Sequence, residues 1–339
     1  MSTELDDLTR MLDEVFETAG GAPDFDPTLW KTLSDLGLTR LTGAEDAGGS
    51  AGDWTEAAVL LAAAGASAAP APLAENDLLA GWLADSAGLD PAPAGAVRTV
   101  AVLGPDGVAL HVPWARAADL LVLLWPSGDG WRVGQVTRTD VEIAEGANLA
   151  GEPRDRVTVD LASQNGVATA GTVARELHLR GALARALTTT GASGRVLDIV
   201  VAHTTTRTQF GRPVAAFQAV QHLVADIATH DALGRAATEA AVAAVLAHGF
   251  DSTATEFAIA AARSCTGHAA ATIVRNAHQA MGAIGFTAEH DLHRFTNRLL
   301  SWRGEFGSLR SWDDALTASA AVAGGEGLWP LISGGHHSG

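Results

Sequence analysis

Along the first ninety residues, apolar positions recur at helical spacing and the polar residues between them carry start and stop signals. Asp26 followed by Pro27 is an N-cap with proline at the first helical position, and predicts a helix to about Leu36. Asp53 and Glu56 stand at capping-box spacing ahead of an apolar run at 57–74, and a glycine-rich loop at 43–52 lies between the two helices. Pro91, Pro93 and Gly95 mark a boundary, after which the period shortens to that of strands. Runs at 98–103, 108–112, 119–125, 131–136 and 157–161 are β-branched or leucine-rich, with turns at Gly104-Pro105-Asp106-Gly107 and Gly128-Asp129-Gly130.

From about Thr172 helical spacing returns. The segment 173–206 runs without proline, although it contains Gly181, Gly191 and Gly194. A second helix is expected from Pro213 to about His248. A third opens on a Thr253/Glu256 capping box and ends near Gly282, and a shorter fourth spans 289–302. Four helices with short connections predict an antiparallel bundle. The fold class expected is α+β, mainly α: an N-terminal helical domain at 1–95, a small middle β domain at 96–170, a C-terminal four-helix bundle at 171–330 and a disordered tail at 331–339.

Composition narrows the chemistry. Aromatic residues are 5% of the 339, with no tyrosine, so the interior must be built from Ala, Leu, Val and Ile. Acidic side chains outnumber basic ones 39 to 22, and the net charge of −17 disfavours nucleic acid and anionic membranes as partners. Any anionic ligand must therefore meet a local arginine cluster. Lys31 is the only lysine and sits mid-helix, which removes a Walker A loop or a Schiff-base lysine. The single cysteine, Cys265, cannot make an internal disulfide or a multi-Cys zinc site and favours a reducing cytoplasm. Residues 1–10 are polar and acidic, unlike a secretory signal, so a cytoplasmic location is expected. The run at 57–74 is interrupted by Gly65, Pro70 and Pro72, which reads as a buried helix of a soluble protein.

Three stretches carry candidate chemistry. The first is Arg207-Thr208-Gln209-Phe210-Gly211-Arg212-Pro213, continuing through Phe217-Gln218-Ala219-Val220. Guanidinium groups at a helix end beside a glycine turn can hold a diphosphate by bidentate hydrogen bonds, or be a solvated corner between helices. The second is Gln279-Ala280-Met281-Gly282-Ala283-Ile284-Gly285-Phe286-Thr287, whose small residues admit a ligand's or another chain's close approach, or form a helix C-cap. His290 and His293 follow it, without H-E-x-x-H, so no metal is expected. The third is Trp302-Arg303-Gly304-Glu305-Phe306-Gly307-Ser308, where one carboxylate sits beside aromatic rings: a general-base candidate or a surface partner of Arg303. Neither G-x-S-x-G nor G-x-G-x-x-G occurs, which removes the α/β-hydrolase and Rossmann readings.

The first two stretches together resemble the acyl-CoA dehydrogenase family, over nearly the whole chain. The pattern R-x-Q-F-G-x-P followed by F-Q-x-V-x-H is met by Arg207, Gln209, Phe210, Gly211, Pro213, Phe217, Gln218, Val220 and His222. Q-x-x-G-G-x-G is met by Gln279, Gly282 and Gly285, with Ala283 replacing a glycine. The resemblance implies the same helical, β and bundle order, and an FAD whose ADP part contacts Arg207, Gln209, Phe210, Phe217, Gln218, Gln279, Gly282 and Ala283 across a subunit interface. It also implies removal of the pro-R α-hydrogen of an acyl-CoA by a carboxylate, with hydride passing from the β-carbon to flavin N5.

Two departures shape what this resemblance implies. Members that hold their own flavin carry a Ser/Thr loop and a W-[IV]-[ST] strand in the middle domain, and the abbreviated region 96–162 has no good match. The family's base lies either on the first bundle helix, which falls near Gly181, or in the loop after the last one. Ungapped counting there lands on Phe306, and Glu305 matches with one residue deleted. Such truncated chains are similar to the smaller subunits of actinobacterial heterotetrameric enzymes of steroid side-chain degradation. The implied partner is a larger dehydrogenase subunit, with two copies of each chain, and an electron-transfer flavoprotein is a compatible acceptor. Two alternatives stand beside this: a self-sufficient homotetramer using Glu305, and a non-catalytic assembly subunit.

Overall fold

The computed structural model describes residues 2–17, 23–128 and 130–333. The chain divides into two compact units, Met1–Ala184 and Arg185–Gly339, each taken by itself below.

In the first unit, helices α1 (Ser2–Glu17), α2 (Pro27–Asp35), α3 (Trp54–Ser67) and α4 (Trp82–Ser86) precede the strands. Asp26 caps α2 by accepting from the backbone of Thr28 and Leu29 with Pro27 at the first position, and Asp53 and Glu56 close the capping box of α3 reciprocally, both as expected. The apolar run at 57–74 does not stay helical to its end, because Ala68 turns left-handed at φ 50° and Pro70 and Pro72 follow. Just before α4, Glu75–Gly81 form a π-helix, a feature the apolar periodicity did not announce.

That π-helix is buried throughout, polar residues included. Asn76 donates to the carbonyl of Thr39 at 2.6 Å and accepts from the amide of Arg98 at 2.8 Å. Asp77 accepts from the amide and hydroxyl of Thr42 and pairs with Arg40, which also reaches Asp85 at 2.6 Å. Burial pushes the Asp77 carboxyl up from its ordinary value despite these donors, and pushes Arg98 down to about 10.

Strands β1 (Arg98–Val102), β2 (Val108–Pro113), β3 (Leu120–Ser127), β4 (Gly130–Thr137), β5 (Glu142–Ala144), β6 (Arg154–Thr158) and β7 (Val167–Thr169) form two small sheets, ordered β1-β3-β4-β7 and β2-β6-β5. Only β1 and β3 pair in parallel; the other pairings are antiparallel. Leu121, Val122, Leu123 and Leu124 of β3 are wholly buried and form the centre of this core.

The strand expected at 157–161 lies three residues earlier, as β6. Its charged residues hid it, because Arg154 and Asp155 are buried where a strand signal would call for apolar side chains. Asp155 accepts from the amides of Arg116 and Gly146 and from the Arg116 guanidinium, so its burial is fully compensated. Asp129, in the second expected turn, lies outside the described residues.

Helix α5 (Val173–Thr206) runs unbroken over 34 residues through its three glycines, and the division between the units falls within it. The second unit continues with a two-residue hairpin, β8 (Thr208–Gln209) and β9 (Arg212–Pro213), then α6 (Gln218–His248), α7 (Thr253–Met281), α8 (Leu292–Trp302) and α9 (Leu309–Ser333). Small residues let its long helices approach closely. A Cβ added at Gly234 of α6 would lie 3.5 Å from Thr266 of α7 and 3.9 Å from Thr190 of α5, so three helices meet at a glycine.

Several helix boundaries differ from those expected. Pro213 is extended in β9, so α6 starts at Gln218 behind Phe217. Ser252 caps α7 through the amide of Ala254, one residue before the expected Thr253/Glu256 box. The register is set by burial of Thr255, whose hydroxyl donates to the carbonyl of Ala244 on α6. α8 starts at Leu292, after a turn, where 289 was expected. The long α9 was not foreseen as a helix; it kinks at Gly324 (φ 65°) and takes in residues 331–333 of the expected tail, while 334–339 lie outside the described residues. The chain is nonetheless mainly α with a small β region, as its class required.

Candidate functional site

Helix α5 ends at Thr206, and the next seven residues open the first candidate stretch. Phe210 and Gly211 sit at the tip of the β8–β9 hairpin with φ of 52° and 79°, the pair of left-handed residues a two-residue hairpin turn requires. The amide of Val214 donates to the carbonyl of Arg207 and closes the loop. The tip is fully presented, with Phe210 92% exposed. Arg207, Gln209, Arg212 and Gln218 are exposed as well, and Phe217 is half-buried. The Phe210 ring meets Phe217 edge-on at 6.1 Å, and the Arg212 guanidinium lies 4.1 Å above the Phe217 ring. Neither Arg207 nor Arg212 has a carboxylate within ion-pair distance among the described residues.

The second stretch ends α7. Gly282 caps the helix at φ 63° with open space where a Cβ would be, and Gln279 and Ala283 are exposed beside it. Gly285 is buried, since a Cβ there would press on Met281 at 2.8 Å. Phe286 stacks on His278 at 4.6 Å, and His278 reaches the Thr296 hydroxyl at 3.1 Å. Burial holds His278 below its ordinary value. The two stretches adjoin through histidines: His203, one turn before Arg207 on α5, meets His290 edge-on at 6.3 Å.

The third stretch is built around buried arginines. Arg263 of α7 donates to the carbonyls of Trp302 at 3.1 Å and Glu305 at 2.7 Å, capping the end of α8. Its other nitrogens have no hydrogen-bond acceptor, and burial followed by the nearby Arg185 charge brings its pKa down to about 10, with Glu305 opposing. The Glu305 carboxylate pairs with Arg185 of α5 at 2.9 Å, and Arg185 lies over the Trp302 ring. Glu305 is therefore engaged with Arg185, and its neighbour Arg303 is not its partner. This pairing was not legible in the sequence, because 120 positions separate the two residues.

In the β region, Trp125-Pro126-Ser127 of β3 is the nearest approach to W-[IV]-[ST]. The Trp125 ring packs on Gly134 and Gly166, where a Cβ would stand 3.1 Å and 2.2 Å away, and is 5% exposed. That ring is used up in the fold. Among the described residues no group of three or more His, Cys, Asp or Glu could hold a metal, and no helix is long and apolar enough to cross a membrane.

Comparison with known proteins bears on this arrangement. Residues 171–308, which contain all three stretches, match the family model of the acyl-CoA dehydrogenase C-terminal domain. The acyl-CoA dehydrogenase IpdE2 of Mycolicibacterium smegmatis is 30% identical over 281 residues, covering 81% of this chain and 82% of the relative. The chain belongs to the acyl-CoA dehydrogenase family. This makes it an oxidoreductase of the FAD-dependent acyl-CoA dehydrogenase class. The same fold is found in the ChsE4–ChsE5 complex of Mycobacterium tuberculosis, at 20% identity and a TM-score of 0.84, covering 94% of this chain and 97% of that one. It is found again in the Tcur3481–Tcur3483 steroid ACAD, at 22% identity and a TM-score of 0.84, covering 98% and 99%.

An FAD diphosphate is the group this family implies for the Arg207 and Gln279 stretches. The residues present fit it: unpaired guanidinium groups supply charge, exposed phenylalanine rings supply stacking surface, and Gly282 lets a ligand come close to the backbone.

Proposed function

We propose that this chain is a subunit of a heteromeric FAD-dependent acyl-CoA dehydrogenase and completes the flavin site of a larger partner, with two copies of each chain in the assembly. Arg207 and Gln279 would meet the diphosphate. Gln209, Phe210, Phe217, Gln218, Gly282 and Ala283 would line the ADP part. The partition into 1–95, 96–170 and 171–330 belongs to this reading, as do a cytoplasmic location and an electron-transfer flavoprotein as acceptor. One observation carries it: an exposed phenylalanine and two arginines without carboxylate partners on a single hairpin, in a chain of net charge −17. Burying Trp125 in its own sheet supports a flavin ring held elsewhere. A CoA thioester of a steroid side chain is the substrate class, supported by the likeness to the Tcur3481–Tcur3483 steroid ACAD.

FAD, when bound, accepts the hydride that leaves the β-carbon as a carboxylate takes the α-proton. On this chain the candidate carboxylate is Glu305. To accept a proton it must give up Arg185, and breaking such a buried pair costs about 3–5 kcal/mol when one partner is left behind. That cost favours a base on the partner, with Glu305 ordering the loop. A self-sufficient enzyme using Glu305 is the second reading, supported by the half-buried position of Glu305 in the loop after α8.

The flavin-to-protomer ratio tests the proposal. Purified alone the chain carries little flavin, and co-expressed with a larger homologue it yields a yellow complex. A stoichiometrically flavinated, active assembly of this chain alone overturns the reading. Within the complex, Glu305→Gln retaining full flavin bleaching by substrate assigns the base to the partner, and loss of bleaching with FAD content intact assigns it to Glu305.

A further inference from the structure

The end of α5 and the turn before α8 bring two imidazoles together, one of them within electrostatic reach of Arg207. His203 lies four residues ahead of Arg207, so both project from the same side of the last helical turns. His290 follows the second stretch, in the turn before α8, and meets His203 edge-on at 6.3 Å. Its tautomer is fixed: the amide of Leu292 donates to Nδ1 at 3.1 Å, which leaves the proton on Nε2, free to donate. His293 uses its own Nδ1 to reach the carbonyl of His290, and Arg294 pairs with Asp291, so these neighbours are already engaged. Around His203 the ionisable groups that act on it are His290 and Arg207, and both are cationic or neutral. Glu289 and Asp291 flank His290 in the chain, Asp291 being held by Arg294; among the described residues no carboxylate pairs with His203, His290 or Arg207, although acidic side chains outnumber basic ones almost two to one.

We propose that His203 and His290 complete, with Arg207, a diphosphate-binding site on this chain, and that His203 binds its ligand as imidazolium. The inference rests on the assignment of Arg207 made above. It adds two residues that no family pattern marked, and a proton. Burial first, then His290 and Arg207, hold the empty His203 below its ordinary value. A diphosphate removes the like-charge opposition and favours the charged ring, so binding takes up a proton. Affinity is then greatest below the free-state titration midpoint of His203 and declines as pH rises through the higher midpoint of the bound state. FAD and CoA both carry a diphosphate, and the chemistry that recognises it is the same.

The full-length chain, with its histidines labelled with ¹³C at Cε1, is titrated from pH 5 to 8.5 by NMR, free and with inorganic pyrophosphate, FAD or CoA at millimolar concentration. His203→Gln and His290→Gln assign the two signals, and thermal unfolding checks that both variants fold. Pyrophosphate is expected to raise the His203 midpoint by about half a pH unit or more, and to leave His248 at the far end of α6 unmoved. Arg207→Ala should reduce that rise. His203→Gln should weaken pyrophosphate about three- to tenfold at pH 6 and less at pH 8. A rise with FAD and not CoA assigns the site to the flavin nucleotide, and the converse assigns it to the thioester carrier; both uphold the proposal. A His203 midpoint that moves no more than that of His248 with all three ligands overturns it. Should His203 fail to respond while Arg207→Ala still loses FAD from the heteromeric complex, the flavin assignment stands and this inference falls. Should His203 respond and Arg207→Ala retain FAD normally, the reverse holds.

Discussion

Two sets of arginines in this chain have opposite fates. In Met1–Ala184, Arg40 lies between Asp77 and Asp85, Arg116 is wrapped on Asp155 and Glu145, and Arg154 pairs with Glu152. In Arg185–Gly339, Arg207 and Arg212 stand at an exposed hairpin with no carboxylate in ion-pair distance among the described residues. A buried guanidinium must be paired, because an unpaired ion in low dielectric costs several kcal/mol. An exposed one is solvated and can wait for an anion. Where the cations are paired, they belong to the fold; where they are not, they are available to a ligand. Arg185 and Arg263 are the informative mixture, both buried in the second unit: Arg185 pairs with the Glu305 carboxylate, while Arg263 donates to the backbone carbonyls of Trp302 and Glu305.

The sharpest way to break this contrast is Asp155→Ala. The side chain is fully buried and accepts from two amides and a guanidinium, so the variant should lose about 3–5 kcal/mol in chemical denaturation. A loss under about 1 kcal/mol would show that the pairs of the first unit are not structural. Gly166→Ala comes next, because a Cβ there would stand 2.2 Å from the Trp125 ring; overpacking of this kind costs about 1–3 kcal/mol, read as a lower melting temperature.

Arg207→Ala should do the reverse of Asp155→Ala. Folding stability stays within about 0.5 kcal/mol of the parent, as expected for an exposed site, while FAD retention by the heteromeric complex falls about ten- to hundredfold. Unchanged FAD affinity would remove Arg207 from the cofactor site. The smallest effect is on pH dependence. His203 and His278 both have folded-state values below the ordinary one, so the unfolded chain binds more protons, and stability falls as pH drops through about 6.5. His203→Gln should flatten that fall in denaturation midpoints measured between pH 5.5 and 7.5, and a steeper fall would reverse the sign assigned here.

Legibility in the sequence followed locality. The caps Asp26 and Asp53 could be read because their partners lie two or three residues away, and β1 to β4 because apolar runs alternate with glycine turns. β6 was misplaced because its buried charges are compensated, Asp155 by Arg116, 39 residues away, and Arg154 by Glu152. The start of α6 was misplaced because Pro213 can open a helix or close a hairpin, and the pairing of β8 with β9 decided between them. In the candidate site, 207–218 and 279–285 stood out as motifs. His203 and His290 did not, since neither lies in a motif and they meet only when two elements converge.

Fold class, family and the two stretches where an anion could be met were already legible in the order of residues, since these depend on period, composition and short spacings. Only the tertiary structure decided which charges are neutralised. That choice depends on which side chains, distant along the chain, come within a few ångströms of one another and away from water, and this brought Glu305 to Arg185, Asp155 to Arg116, and left Arg207 without a carboxylate.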